Sequence, residues 1–467
     1  MKRISNLRSF RISKVEITDQ KITGRGGLYF ILRYIENTKF YHTYLKLFEN
    51  IKKSAKGLST VQFAKQLFAY FIDGTDMSMK SFDRRKEDAA YAAALENTPD
   101  QMASSHQMKR FFSKFIVVGN WIFRKILLEL FIWRLHIEQP NIIILFGDTM
   151  VLDNDDANVR EAVEPTYKKK KGFQPLQLFW GPYLVDALFR AGSVHSNHGS
   201  DFMKAVGRLV NAIRKRYKDV PIILLTDSGF MDDQNFRFFE QRLNILYICG
   251  GKQYADLKEY VQQLDPKEFG SYNNHQTAWT YVEFGNRLKS WNHFRRCIFT
   301  TLETEDDGQL KLEFVKTDTF MYTNIGIDQK LTEQLIQAGG QHYLNVQEII
   351  KLRHQCGKAE LNHRSIKEFH GKEQLPFKKQ GMNRAYYYFL GISHFLYEAY
   401  KRDVAKDIIP ESCYPTTFRR QLVDFAAKIV QTGNRFVLQV STEIYNNLSI
   451  EKIWERSGSP PISLIRI

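Results

Sequence analysis

Three carboxylates stand out by what surrounds them. Asp148, in FGDTMVLDND, follows the apolar run at 141–146, and Asp227, in PIILLTDSGF, follows a second such run. An aspartate leaving a core strand is held rigidly by the sheet, ready to bind a cation. Glu360 lies in LRHQCGKAELNHRSIKEFHG, where Arg353, Glu360 and Lys367 recur at intervals of seven and so share one face of a helix. Carboxylates from two strands and one helix are what a two-metal phosphoryl-transfer site requires, because hard oxygen ligands suit Mg²⁺, which polarises a phosphate and activates a hydroxyl. Taken singly, each residue also fits a plainer role. Asp148 suits a strand-end turn, Asp227 before Ser228 and Gly229 suits a helix cap, and the Arg353, Glu360, Lys367 stripe suits a solvated salt-bridged face. His363, one turn after Glu360, could be a ligand but reads more readily as a surface or packing histidine. The run YKKKK places Lys168, Lys169, Lys170 and Lys171 after Tyr167, a loop suited to phosphates or simply to water.

The elements that must carry these residues alternate. Strands are expected at 141–146, 176–180, 183–191, 221–226 and 245–249, with amphipathic helices at 201–217 and 231–242, which implies a mixed α/β layer over 140–265. Before it, 1–139 reads as a separate, mostly helical region, with helices at 61–72 and 108–135. After it, WTYVEF, FRRCIFTTLE and KLEFVKT, separated by turn residues, predict an antiparallel β insertion within 266–340. Helices at 345–369 and 383–400 would complete the core over 341–405. The remainder, 406–467, reads as helical at 416–431 with a loosely held tail, SGSPPISLIRI.

A chain of 467 residues suggests two to four structural units. Its 43% hydrophobic and 25% charged residues are close to the globular average, and 27 Gly with 12 Pro exclude collagen-like and low-complexity disordered classes. The net charge of +16 calls for a polyanionic partner, with nucleic acid the first candidate. Cys249, Cys297, Cys356 and Cys413 form no CxxC pair, which argues against a zinc ribbon or a disulfide framework and fits a reducing cytosol. The basic start lacks an apolar signal core, and the most apolar stretch, 120–137, is broken by Arg124, Lys125, Glu129 and Arg134, so no membrane span is expected. There is no Walker A loop, GxGxxG, HExxH or GxSxG motif.

From GDTMVLDND through YKKKKGFQPLQLF, FRAGSVHSNHGSDF and TDSGF to the Glu360 helix and AYYYFLGISHFLYEAY, the sequence resembles the bacterial insertion-sequence DDE transposases of group 1, related to those with a Tyr-Arg-Glu-Lys signature. The resemblance implies an α/β fold: a ribonuclease-H-like catalytic core with a β-rich insertion and an N-terminal α-helical DNA-binding domain. It implies cut-and-paste transposition in which Asp148 and Asp227 share one Mg²⁺ or Mn²⁺ ion, Glu360 helps hold a second, and Lys367 steadies a backbone phosphate. The implied partners are double-stranded DNA, as terminal inverted repeats and target, and a second copy of the chain in a synaptic homodimer; the implied location is the bacterial cytoplasm, on the nucleoid. Family members carry Tyr and Arg where this chain has Arg353 and Cys356, and Arg353 joins the lysines as an expected DNA contact. The rival readings are a metal-dependent nuclease without strand transfer and a non-catalytic DNA-binding descendant.

Overall fold

The computed structural model describes residues 14–466 apart from 55, 156–158, 275–276, 305–317, 355–356 and 434. The apolar runs that precede the two aspartates form adjacent strands of one sheet. β1 (Ile143–Thr149) runs antiparallel to β2 (Leu176–Trp180), which turns back into β3 (Tyr183–Leu188). On its other side β1 is parallel to β4 (Ile222–Thr226), and β4 is parallel to β5 (Leu246–Gly251). All five residues of β4 are buried, the near-continuous apolar pattern of a strand covered on both faces. A parallel neighbour needs a crossover, and the helix Asp201–Arg214 between β3 and β4 supplies it. The resulting order, β3-β2-β1-β4-β5, is the ribonuclease-H-like core.

The β-rich insertion consists of β6 (Gly270–Asn274), β7 (Thr277–Asn286), β8 (Arg295–Thr304) and β9 (Thr319–Thr323), all antiparallel. It continues the core sheet: β9 pairs with β5, with Tyr322 opposite Cys249, so nine strands form one surface. The expected strand at KLEFVKT lies outside the described residues.

The helices that matter here are α1 (Phe40–Phe48), α2 (Thr60–Asp73), α3 (Ser105–Ser113), α4 (Asn120–Glu138), α5 (Asp201–Arg214), α6 (Val346–His354), α7 (Gly357–His370) and α8 (Gln380–Tyr400). α8 is buried along nearly its whole length, and its Phe389 ring has Phe48, Phe68, Phe111, Phe112, Phe115 and Phe123 at centroid distances of 5.6–6.4 Å. Aromatic pairs in such offset and edge-on arrangements contribute about 0.5–1.5 kcal/mol each beyond their buried area. The N-terminal helices, expected to stand apart, therefore share one core with the sheet layer.

Three other expectations change. The helix expected at 345–369 is two helices, α6 and α7, so Arg353 sits on one while Glu360 and Lys367 sit on the other. Of 416–431, residues Ala427–Thr432 form a strand that pairs with Arg435–Gln439 and Ile22–Thr23. The β-branched Ile429, Val430 and Thr432 favour it, and Gly433, at φ 60°, supplies the left-handed turn. The tail is docked: the Trp133 indole N–H donates to the Ile462 carbonyl at 2.9 Å, and the Leu464 amide donates to the Thr38 carbonyl at 2.9 Å. Among the described residues no helix is long and apolar enough to cross a membrane.

Candidate active site

Strand register brings the two aspartates together. Gly147 on β1 pairs with Thr226 on β4. Asp148 and Asp227, one residue further along two parallel neighbours, thus lie about one strand spacing apart, roughly 4.8 Å. Gly147 keeps this point tight, because a Cβ there would meet the Phe202 ring of α5 at 2.8 Å. Asp148 is fixed by its own end of the strand, Oδ1 accepting from the Thr149 amide at 2.6 Å. Asp227 caps the short turn Ser228–Phe230, its Oδ1 accepting from the Gly229 amide at 3.0 Å. The capping role and the site role therefore coincide in one residue. Glu360 enters from the first turn of α7, exposed to solvent.

Electrostatics link Asp148 to both of the other carboxylates. Burial pushes the Asp148 carboxyl up to about 7, and the charges of Asp227 and Glu360 push the same way, against the Thr149 hydrogen bond and the Arg353 cation. Asp227 is also raised, first by burial, with the Gly229 hydrogen bond and Arg353 opposing. Among the described residues no three Asp, Glu, His or Cys side chains close around a single point as a cage; the two aspartates lie at the ends of adjacent interior strands of the sheet. A carboxylate raised by neighbouring like charges, as Asp148 is, is relieved by a cation placed between them, and carboxylate oxygens are the donors that Mg²⁺ and Mn²⁺ prefer. The donor set fits a divalent metal.

Two neighbours of these strand ends, Tyr167 and Gly250, were not legible as site residues, and a third, His363, was raised only as a possible ligand. Tyr167, exposed at the hairpin tip before the lysines, is raised by burial and then by Asp148, Asp227 and Glu360 together, which places its hydroxyl in their field. His363 Nδ1 lies 3.8 Å from Asp148 Oδ2. Burial, then Lys367 and Lys168, push that imidazole down to about 3, so it is neutral at pH 7 and cannot offset the carboxylate. Gly250, next to Asp227 across the β4–β5 register, leaves room for Arg353: a Cβ there would meet the Arg353 Nη2 at 2.8 Å and the Ser228 amide nitrogen at 3.0 Å. YKKKK contains Tyr167, and the LRHQCGKAELNHRS segment contains His363, but only the fold shows what either faces.

The expected cations divide. Arg353 turns towards the two aspartates, as its effect on both shows. Lys168 lies over the Tyr167 ring at 5.8 Å, and Lys169 holds the turn with φ 59°. Lys170 is engaged with Asp153 at 2.5 Å, and Lys171 begins the short strand Lys171–Phe173. Lys367 pairs with Glu373 at 2.8 Å.

The cryo-EM structure of a piggyBac transposase synaptic complex with hairpin DNA is similar at a TM-score of 0.41 and 10% identity, over 95% of this chain and 85% of that one. No curated protein matches the sequence. The family model for the transposase DDE domain, group 1, matches residues 8–456, nearly the whole chain. Its aspartates at the ends of β1 and β4 and its glutamate on α7 therefore belong to a member of the group-1 DDE transposases, DNA-acting enzymes that generally use divalent metal ions.

Proposed function

We propose that the protein moves an insertion sequence by a cut-and-paste route, cleaving DNA at the element's ends and joining the freed 3′-hydroxyls to target DNA. The observation that carries this reading is the pair of strand-end aspartates set side by side by the β1–β4 register, with Asp148 raised to about 7 by burial and by the carboxylates around it. Asp148, Asp227 and Glu360 would hold two Mg²⁺ or Mn²⁺ ions, which when bound supply Lewis acidity at the phosphate. Asp148 and Asp227 are pre-positioned by their backbone hydrogen bonds, so little ordering remains at the moment of reaction. Lys168, Lys169 and Lys171 would bind DNA phosphates and fix the register of the duplex, and Lys170 and Lys367, paired with Asp153 and Glu373, would join them only on leaving those partners. Arg353 would bind the phosphate nearest the aspartates, its planar guanidinium matching two phosphate oxygens. Cutting two ends and joining both calls for two copies of the chain, and a homodimer acting in the bacterial cytoplasm on the nucleoid fits that task.

The test is strand cleavage and joining of a labelled duplex taken from the DNA flanking the reading frame. Asp227→Asn is nearly isosteric and removes one charge from the site, so it should bind the duplex as wild type does while cleavage in Mg²⁺ or Mn²⁺ disappears. Cleavage by wild type without joined product would replace transposition with a nuclease activity. Cleavage that survives Asp227→Asn would remove Asp227 from the site.

A further inference from the structure

Arg353 is the last residue but one of α6, whose Ile349, Ile350 and Leu352 are buried and whose final His354 ring packs on Trp279 of β7 at 4.5 Å. Its backbone is thereby fixed, and its side chain alone spans the gap to the strand ends. The point where a Cβ on Gly250 would stand is 2.8 Å from Arg353 Nη2, 3.0 Å from the Ser228 amide nitrogen and 3.3 Å from the Asp227 carbonyl carbon. The guanidinium therefore rests on bare backbone beside Asp227, and a side chain on residue 250 would evict it.

Other arginines of this chain that lie beside carboxylates are locked to them. Arg124 grips Asp186 at 2.6 Å, Arg134 grips Asp403 at 2.8 Å and Arg295 grips Asp233 at 2.8 Å. Arg353 differs: among the described residues its Nε is buried without an acceptor, and its charge acts on Asp148 and Asp227 through space, opposing the effect of burial on both. A cation in the last turn of a helix is favoured by the helix dipole, which accounts for a base at residue 353 but not for its direction over Gly250. A guanidinium within the field of two carboxylates, and fastened to neither by an ion pair, leaves their oxygens open and loses little when it moves away.

We propose that Arg353 is a built-in counter-ion of the carboxylate site, which offsets Asp148 and Asp227 when no divalent ion is bound and weakens the binding of such an ion until its side chain swings aside. The proposal rests on the reading that these carboxylates hold Mg²⁺ or Mn²⁺, and it adds that the chain itself sets how tightly they do so. Two cations drawn to the same pair of carboxylates repel each other. An arriving ion therefore drives the guanidinium off the aspartates, and the freed side chain becomes available to a phosphate.

The test titrates Mn²⁺ alone into the full chain without DNA, measuring bound ion by equilibrium dialysis and stability by thermal melts. Beside wild type stand Arg353→Gln, Arg353→Lys and Gly250→Ala. Arg353→Gln should bind Mn²⁺ about tenfold tighter, because a repelling charge next to the site has gone. Gly250→Ala keeps that charge but moves it off the aspartates, the far end of a flexible side chain being the part that gives way, and it should tighten binding in the same direction. Arg353→Lys keeps a cation there and should bind closer to wild type than to Arg353→Gln. In chelator, Arg353→Gln should melt below wild type, and saturating Mn²⁺ should close the gap. A change that merely loosened α6 would lower the melting temperature with and without the ion and would not tighten binding. Binding no tighter than wild type in Arg353→Gln, or in a folded Gly250→Ala, would overturn the proposal and leave the metal site standing. No Mn²⁺ bound by any of the four proteins would overturn both.

Discussion

Asp186 on β3 and Asp148 on β1 are carboxylates of the same sheet with opposite surroundings. Asp186 is fully buried and takes both oxygens into a fork with Arg124, Oδ1 to Nε at 2.7 Å and Oδ2 to Nη2 at 2.6 Å, with Arg208 at 3.4 Å beyond. Its charge is matched twice over, by α4 and by α5. Asp148 has one hydrogen bond from its neighbouring amide and a neutral histidine at 3.8 Å, and it faces two more carboxylates. A sheet that can neutralise an aspartate so completely at one strand leaves another, two positions past the end of its apolar run, with only the Arg353 cation opposing burial and like charge. The first arrangement serves stability, and the second fits the metal site proposed above, with Arg353 the cation the chain itself brings near.

The largest consequence is in stability. Asp186→Ala strands two guanidinium groups that were built around it, and removing one partner of a buried pair costs about 3–5 kcal/mol. Asp148→Asn removes a charge that burial and its neighbours disfavour, so it should be neutral or raise stability by about 1 kcal/mol. Chemical denaturation of the two variants beside wild type checks this. If Asp148→Asn unfolded as readily as Asp186→Ala, the contrast between the two aspartates would be lost.

Next in size is the response to metal. A ligand that binds only the folded protein stabilises it by about 2.7 kcal/mol at a hundredfold excess over its dissociation constant. Mg²⁺ or Mn²⁺ should therefore raise the melting temperature of wild type and of a protein altered at a site outside the carboxylate edge, and leave Asp148→Asn unmoved. Thermal melts with and without chelator measure it. An equal shift in Asp148→Asn would mean that the ion binds elsewhere.

The same contrast marks how much could be read from sequence. Strand-end aspartates were legible because an apolar run that stops at a carboxylate is a local pattern, and a mixed α/β layer followed from the alternation of strands and helices, whereas the ribonuclease-H-like core came from the family resemblance and the strand order only from the structure. Asp186 was not legible as a stabilising charge, because Arg124 and Arg208 reach it from two different helices. Pairing across the sheet was equally hidden: nothing in the spacing of WTYVEF and FRRCIFTTLE shows that β9 adds to β5 rather than to a sheet of its own. Arg353, Glu360 and Lys367 kept the seven-residue interval of one helix, yet the chain divides them between α6 and α7, and Arg353 comes to lie over Gly250. The hairpin after Ala427 was hidden for a different reason, since its strand follows directly on helical turns and the break shows only at Gly433.

The smallest effect applies the contrast to cations. Lys168, Lys169 and Lys171 make no ion pair among the described residues, whereas Lys170 Nζ is engaged with Asp153 at 2.5 Å. Asp153 is correspondingly held below the usual carboxylate range, chiefly by that hydrogen bond. A lysine already paired with a carboxylate displaces fewer counterions from DNA than an unpaired one, because its charge is largely spent. Counting four equal contacts would predict that neutralising all four lysines to Gln reduces the salt slope by about 3.6; counting the three unpaired ones predicts about 2.7. Single variants separate the two: Lys168→Gln should lower the slope by about 0.9 and Lys170→Gln should leave it nearly unchanged. Exposed pairs contribute little, about 0–1 kcal/mol, so Lys170→Gln should also leave stability unaltered. Equal slope changes for Lys168→Gln and Lys170→Gln would show that Lys170 leaves Asp153 when DNA arrives, and that pairing in the free protein does not decide which lysines track the backbone.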